Sequence, residues 1–230
     1  MPSCPIWYAF PDHTDTIMPD TLNTKAIHQT VFWGNIASPQ IHSHTLTATE
    51  PNSPKIDVAI SLQDDYGTNI SGANISYFIK RTDWLHLPNL SKDSARQDYL
   101  WQGNCFECFF GFDECTDYVE LNFTSHSIGS LYNLYHFTDY RTPNIMPPAQ
   151  TNGQIIIKSI ENDEMSKITS SHHVYHLTVI FDTPAFRGKS KPINKINPAV
   201  ILYKNDTAIF YAKNHTNPPD FHDKRSWINI

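Results

Sequence analysis

Residues 100–127 read LWQGNCFECFFGFDECTDYVELNFTSHS and hold three of the chain's four cysteines, at 105, 108 and 115. The fold turns on whether CFEC is a zinc knuckle or part of a strand. A knuckle needs C-x-x-C on a tight turn and a second ligand pair elsewhere, and no second C-x-x-C exists. Phe106, Phe109 and Phe110 favour an extended backbone instead. On a strand, residues three apart point to opposite faces, so Cys105 and Cys108 cannot share a metal. CFEC therefore reads as a strand, with Cys108 packed in the core as a small hydrophobe.

From there the pattern spreads in both directions. Cys105 to Phe110 and Tyr118 to Phe123 flank a turn through Gly111 and Asp113, which predicts a hairpin. Ile56, Val58, Ile60 and Leu62 alternate with polar or small residues, the period of a half-buried strand. Ile75–Lys80, Ser130–Phe137, Gln154–Ile160 and His173–Phe181 carry similar signals. Pro198 opens a strand over Ala199–Lys204, and Asn205-Asp206 supplies a two-residue turn into Thr207–Lys213. A short helical turn is expected over Lys92–Asp98, capped by Ser91. Many strands with almost no helix predict an all-β antiparallel sandwich of about nine or more strands. Residues 1–40, broken by five prolines, read as an irregular extension packing on one domain that spans 41–230.

Charge and composition narrow the function. A net charge of −6 and a pI near 6.0 leave no basic stripe for nucleic acid. No basic n-region precedes an apolar run at the start, and no stretch is long and apolar enough to span a bilayer. The expectation is a cytoplasmic protein with reduced cysteines, no nucleic-acid partner and no membrane partner.

Candidate chemistry is sparse. On a strand, His173, Tyr175, Leu177 and Val179 would face the core while His172 and His176 face water; His42 and His44 share a face without a third ligand. The chain has no G-x-S-x-G, H-E-x-x-H, Walker or G-x-G-x-x-G motif, so no enzyme is expected. In the hairpin, Phe106, Cys108, Phe110, Val119, Leu121 and Phe123 point inward. Glu107, Glu120 and Asn122 then share the opposite face, an outer and polar one open to solvent. Two carboxyl groups and an amide suit hydroxyl binding as well as general acid–base catalysis. Trp33, Trp84 and Trp101 fall in or beside loops, where an indole can cover the C–H face of a saccharide.

Four blocks carry a resemblance to a known family. Leu100-Trp101 with Cys105-Phe106-Glu107, then Glu120-Leu121-Asn122-Phe123 with Ser125, then Asp139-Tyr140-Arg141, then His215 with Pro219-Asp220-Phe221-His222 stand in order. Together they resemble the bacterial DOMON-like proteins, which are similar to family-nine carbohydrate-binding modules. The resemblance covers roughly residues 55–230. Thr124-Ser125-His126-Ser127 and Thr216-Asn217-Pro218 depart from the family's turns, and Cys108 takes a position usually apolar.

The resemblance implies a non-catalytic sandwich that binds a small molecule, a sugar in the first instance. Trp101 or Trp84 would be the stacking platform, and Glu107, Asn122, Tyr140, Arg141, His215 and His222 the polar partners. No cofactor is expected under this reading. Related domains bind haem non-covalently, which gives the alternative; His136, His215, His222 and Met146 are then the available ligands. A third reading is an interaction module, with Pro5–Pro11 docking on a second copy to give a homodimer.

Overall fold

Strand patterning dictates the architecture because alternating apolar residues give each strand a buried face. The computed structural model describes residues 40–65, 70–85, 94–111, 116–126, 129–137, 156–162, 172–182 and 193–230. Tyr140, Arg141, Met146, Trp33 and the N-terminal extension lie outside the described residues.

Among the described residues twelve strands follow in chain order: β1 (Ile41–Ala48), β2 (Ile56–Asp65), β3 (Ile70–Lys80), β4 (Ser94–Arg96), β5 (Cys105–Gly111), β6 (Tyr118–His126), β7 (Gly129–Phe137), β8 (Ile156–Asn162), β9 (His172–Asp182), β10 (Lys195–Lys204), β11 (Thr207–Ala212) and β12 (Ile228–Asn229). The first sheet runs β1-β2-β3-β9-β8 and the second β4-β7-β6-β5-β10-β11, with β12 on the free flank of β10. Among the described strands every pairing is antiparallel except β4 on β7. β1 belongs to both layers. Its residues 41–46 pair with β2, and Thr47 and Ala48 pair with Ala212 and Tyr211 of β11.

The inner faces of the two sheets meet in one apolar core. Ile56, Val58, Ile60, Ile75, Tyr77 and Leu177 from the first sheet pack with Phe106, Cys108, Phe110, Leu121, Phe123, Val200 and Leu202 from the second. Phe106 sits at its centre, stacked on Phe123 at 5.1 Å and tilted against Tyr175 at 4.7 Å. The expected sandwich, the 105–111/118–126 hairpin and the inward set of β5 and β6 are what folds. His173 joins the buried face of β9, as its alternation with Tyr175 predicts. Asn205 and Asp206 both take positive φ, 48° and 62°, the backbone of a tight two-residue hairpin turn.

Two local expectations are corrected. Residues 94–96 form no helical turn; they extend as β4, with Ser94, Ala95 and Arg96 opposite Ser130, Leu131 and Tyr132. Pairing to the sheet edge outweighs the weak helical signal of so short a run. Pro198 does not open β10 but lies inside it, opposite Cys108. Pairing with β11 begins only at Ala199, so one flank of the proline has no ladder to complete.

The third difference sets up the site. β5 is buried on both faces along its whole length. The outer face of the second sheet, expected to be open to water, is covered by the turn Leu100–Gln102 and by the returning segment around Phe221 and Trp227. A second apolar cluster fills the gap, joining Leu100, Cys105, Phe109, Tyr118, Tyr135, Phe137, Ile201, Phe221 and Trp227.

Candidate binding face on the second sheet

Register lines up the polar residues of this covered face in two rows. Asn133, Asn122, Glu107, Ala199 and Ala212 stand side by side across β7, β6, β5, β10 and β11. The next row is Tyr135, Glu120, Phe109 and Asn197. Glu107 and Glu120 are each 3% exposed, and Asn122, Asn133 and Asn197 are wholly buried. Buried polar groups need partners, and most of these have them. Asn122 Nδ2 donates to Glu120 Oε1 at 2.8 Å. Asn133 Nδ2 reaches Tyr135 Oη at 3.0 Å and the Gln97 carbonyl at 3.1 Å, and also Asp98. Arg96 Nε donates to Asn133 Oδ1 at 3.1 Å.

The C-terminal segment closes one end. Asn197 Nδ2 and Trp227 Nε1 both donate to the Phe221 carbonyl, at 3.0 and 2.8 Å. His222 Nδ1 lies 2.8 Å from Tyr118 Oη, and His222 Nε2 lies 3.8 Å from Glu120 Oε2. Phe109, Phe137 and Tyr118 enclose that imidazole edge-on.

The other end is an aromatic ledge. Tyr99, with φ 62°, is the large hydrophobic side chain most open to solvent among the described residues, 43% exposed. Its ring meets the half-buried Trp101 edge to face at 5.3 Å, and Trp101 meets Tyr135 at 6.0 Å. Backbone anchors hold this ledge: Tyr99 N donates to Tyr135 Oη at 3.4 Å and Tyr203 Oη to the Trp101 carbonyl at 3.5 Å. Burial, reinforced by the nearby Asp98 and Glu120, holds the Tyr135 phenol well above its usual range, against the lowering effect of the Tyr99 and Asn133 contacts. That phenol stays neutral and accepts from Tyr99 N and Asn133 Nδ2.

Trp101, Glu107, Asn122 and His222 thus come together on one face of the second sheet. His215 stands at its margin, tilted against Phe221 at 6.4 Å, with Nε2 2.7 Å from the Thr47 carbonyl. Trp84 is elsewhere: it packs on the inter-sheet core, with Lys204 Nζ 5.7 Å from its ring centre. His136 and His222 do not face one another, because His136 follows the inward alternation of β7 while His222 lies on the outer face beside Phe137. Among the described residues no group of three or more His, Cys, Asp or Glu side chains could hold a metal ion.

Tyr99, Asp98, Asn133, Tyr135 and Asn197 were not singled out by the sequence reading. Tyr99 adjoins the Leu100-Trp101 block and joins the group through its hydrogen bond to Tyr135, while register with β6 sets Asn133 beside Asn122.

No protein-family model matches the chain, and no curated protein matches it. Among solved structures, a candidate carbohydrate-binding protein from Bacteroides uniformis is similar at 12% identity with a TM-score of 0.46, over 82% of this chain and 84% of that one. A cyan fluorescent protein from Discosoma striata aligns at 10% identity with a TM-score of 0.13, over 74% and 94%. Neither likeness is close enough to carry a functional argument.

Proposed function

We propose that the chain is a non-catalytic, small-ligand-binding β-sandwich of the DOMON-like kind, whose ligand is a sugar. The observation that carries this reading is the Tyr99–Trp101 ledge, partly open to solvent and seated over a layer of amide and carboxyl groups. Aromatic rings cover the C–H face of a saccharide, while Asn, Asp and Glu side chains take its hydroxyls. A base paired with an activated nucleophile is what hydrolytic chemistry would add. The paired groups here are instead bound into the sheet, Asn122 with Glu120 and Tyr118 with His222.

A thermal-shift screen against neutral, amino and acidic monosaccharides and disaccharides tests the reading. A bound sugar at 100 times its Kd adds about 2.7 kcal/mol of stability. The parent chain should gain that shift, and Trp101→Ala and Tyr99→Ala should lose it while remaining folded by circular dichroism. If no sugar shifts the parent chain, the reading fails.

A further inference from the structure

One buried amide fixes the residues that lead into the aromatic ledge. Asn133, wholly buried on β7, accepts from Arg96 Nε through Oδ1 at 3.1 Å. Its Nδ2 donates to Asp98 Oδ1 and to the Gln97 carbonyl. Gln97 N adds a 2.9 Å bond to the Tyr132 carbonyl, so the backbone between the two charged residues is pinned as well. A guanidinium and a carboxylate are thereby held at the two ends of a single side chain. The same Nδ2 lies 3.0 Å from Tyr135 Oη, and the Tyr135 ring meets Trp101 at 6.0 Å, which ties the pair to the ledge.

This pair reaches solvent, unlike the polar rows under Phe221 and Trp227. Arg96 is exposed and Asp98 half-buried, next to the exposed Tyr99 and the half-buried Trp101. Asp98 Oδ1 is taken by Asn133, whereas Oδ2 has no hydrogen-bond partner among the described residues. Fixing one carboxylate oxygen sets the direction of the other before any ligand arrives, and preorganisation of that kind lowers the cost of binding. A guanidinium is a rigid planar array of donors, so the Nε bond to Asn133 likewise sets the plane in which Arg96 can donate.

Resting on the sugar-binding reading above, we propose that Arg96 and Asp98 form a subsite for a vicinal diol on an uncharged sugar. One hydroxyl accepts from the guanidinium, its neighbour donates to Asp98 Oδ2, and the C–H face of the ring lies on the Tyr99–Trp101 ledge. Each hydroxyl can give and take a hydrogen bond, so two on adjacent carbons match a donor group set beside an acceptor group. The charges of the two side chains offset one another. A carboxylate on the sugar would meet Asp98 and an ammonium would meet Arg96, so neither a sugar acid nor an amino sugar gains from the pair.

Calorimetric titration with glucose, galactose, mannose and the monodeoxy analogues of each, alongside glucuronate and glucosamine, tests the subsite. The tightest neutral sugar should lose at least about tenfold in affinity when either of two adjacent hydroxyls is missing, the scale of a hydrogen bond to a charged group. Arg96→Lys and Asp98→Asn, checked for folding by circular dichroism, should weaken the same sugar by a similar factor. The asparagine keeps an oxygen for Asn133, which protects the fold. Each variant should also become indifferent to the loss of the hydroxyl that its altered side chain held. Unchanged affinity in both variants, or weaker binding with full sensitivity to both hydroxyls, would overturn the subsite and leave the sugar reading intact. Glucuronate or glucosamine binding more tightly than every neutral sugar would overturn the choice of ligand. No binding of any of these sugars would also overturn the subsite, and the wider thermal-shift panel shows separately whether the sugar reading falls with it.

Discussion

The phenol of Tyr77, on β3 in the first sheet, donates a 2.5 Å hydrogen bond to the backbone carbonyl of Glu107, on β5 in the second. The bond crosses the core at the point where Tyr77 also meets Phe106 and Phe123. It ties the strand that bears the candidate site to the opposite layer. Tyr77→Phe keeps the ring and removes only the donor, leaving a buried carbonyl short of one partner. The expected cost is about 1–3 kcal/mol, read as a lower urea midpoint at unchanged m-value. An unchanged midpoint would show that the tether contributes nothing.

Cys105 and Cys108 point to opposite faces of β5, yet both are fully buried and burial pushes both thiols well above their ordinary range. A thiol is nucleophilic as its anion, so neither should react while the fold holds. In a Cys4→Ser, Cys115→Ser background, a chromogenic disulfide reagent should find no reactive thiol in native buffer and two in denaturant. Fast labelling of the native protein would contradict the packing.

His44 lies on the inward face of β1 with Leu46, and burial, then Lys213 and His42, hold its pKa below the usual 6.5; burial lowers His42 as well. The unfolded chain therefore binds more protons than the folded one between the lowered folded pKa and 6.5. Stability is full above pH 6.5 and falls as the solution is acidified through that window. His44→Gln should flatten the acid limb of a Tm-against-pH curve. An identical limb in the variant would assign the loss to other groups.

Gly111 makes close packing possible where β5 ends. A Cβ built there would lie 2.9 Å from Cζ3 of Trp227. Gly111→Ala should cost about 1–3 kcal/mol through overpacking. Trp227 is itself buried, against Phe109 and Tyr118, so Trp227→Leu should be costly too. The two losses should be less than additive in the double variant, since the smaller side chain relieves the clash. Strict additivity would place the cost of Gly111→Ala elsewhere.

Asp206 occupies the second turn position at φ 62°, where glycine carries no Cβ penalty. Asp206→Gly makes the Asn-Gly pair favoured in such turns and should raise stability by about 0.5–1 kcal/mol, the relief of strain outweighing the added freedom of the unfolded chain. Thermal unfolding checks it; a lower Tm would mean that the side chain matters more than the backbone.

Much of the sandwich was legible because a strand's two faces differ. Ile56, Val58 and Ile60 announce β2, and the Phe-Cys-Phe alternation of β5 places Cys108 inside and Cys105 outside without any coordinates. Alternation names the faces but not what covers them. Glu107, Glu120 and Asn122 fall on the side predicted, yet their dryness depends on Phe221 and Trp227, about a hundred residues away in the chain. The near-continuous apolar runs CFECFFG and KINPAVILYK did carry that information, since a strand wet on one side rarely lacks polar alternation. β4 was hidden for a different reason: three residues hold no period, and only the edge of β7 makes them a strand.

β1 has a consequence for how the protein comes apart. Because one continuous strand lends its hydrogen bonds first to β2 and then to β11, the layers share a seam of backbone in addition to their side-chain core. Neither layer can melt along that margin without stripping the other of an edge. Loss of structure should propagate through the seam, so that amides of β2 and β11, remote in sequence, exchange with deuterium at matched free energies and the two layers behave as one cooperative unit.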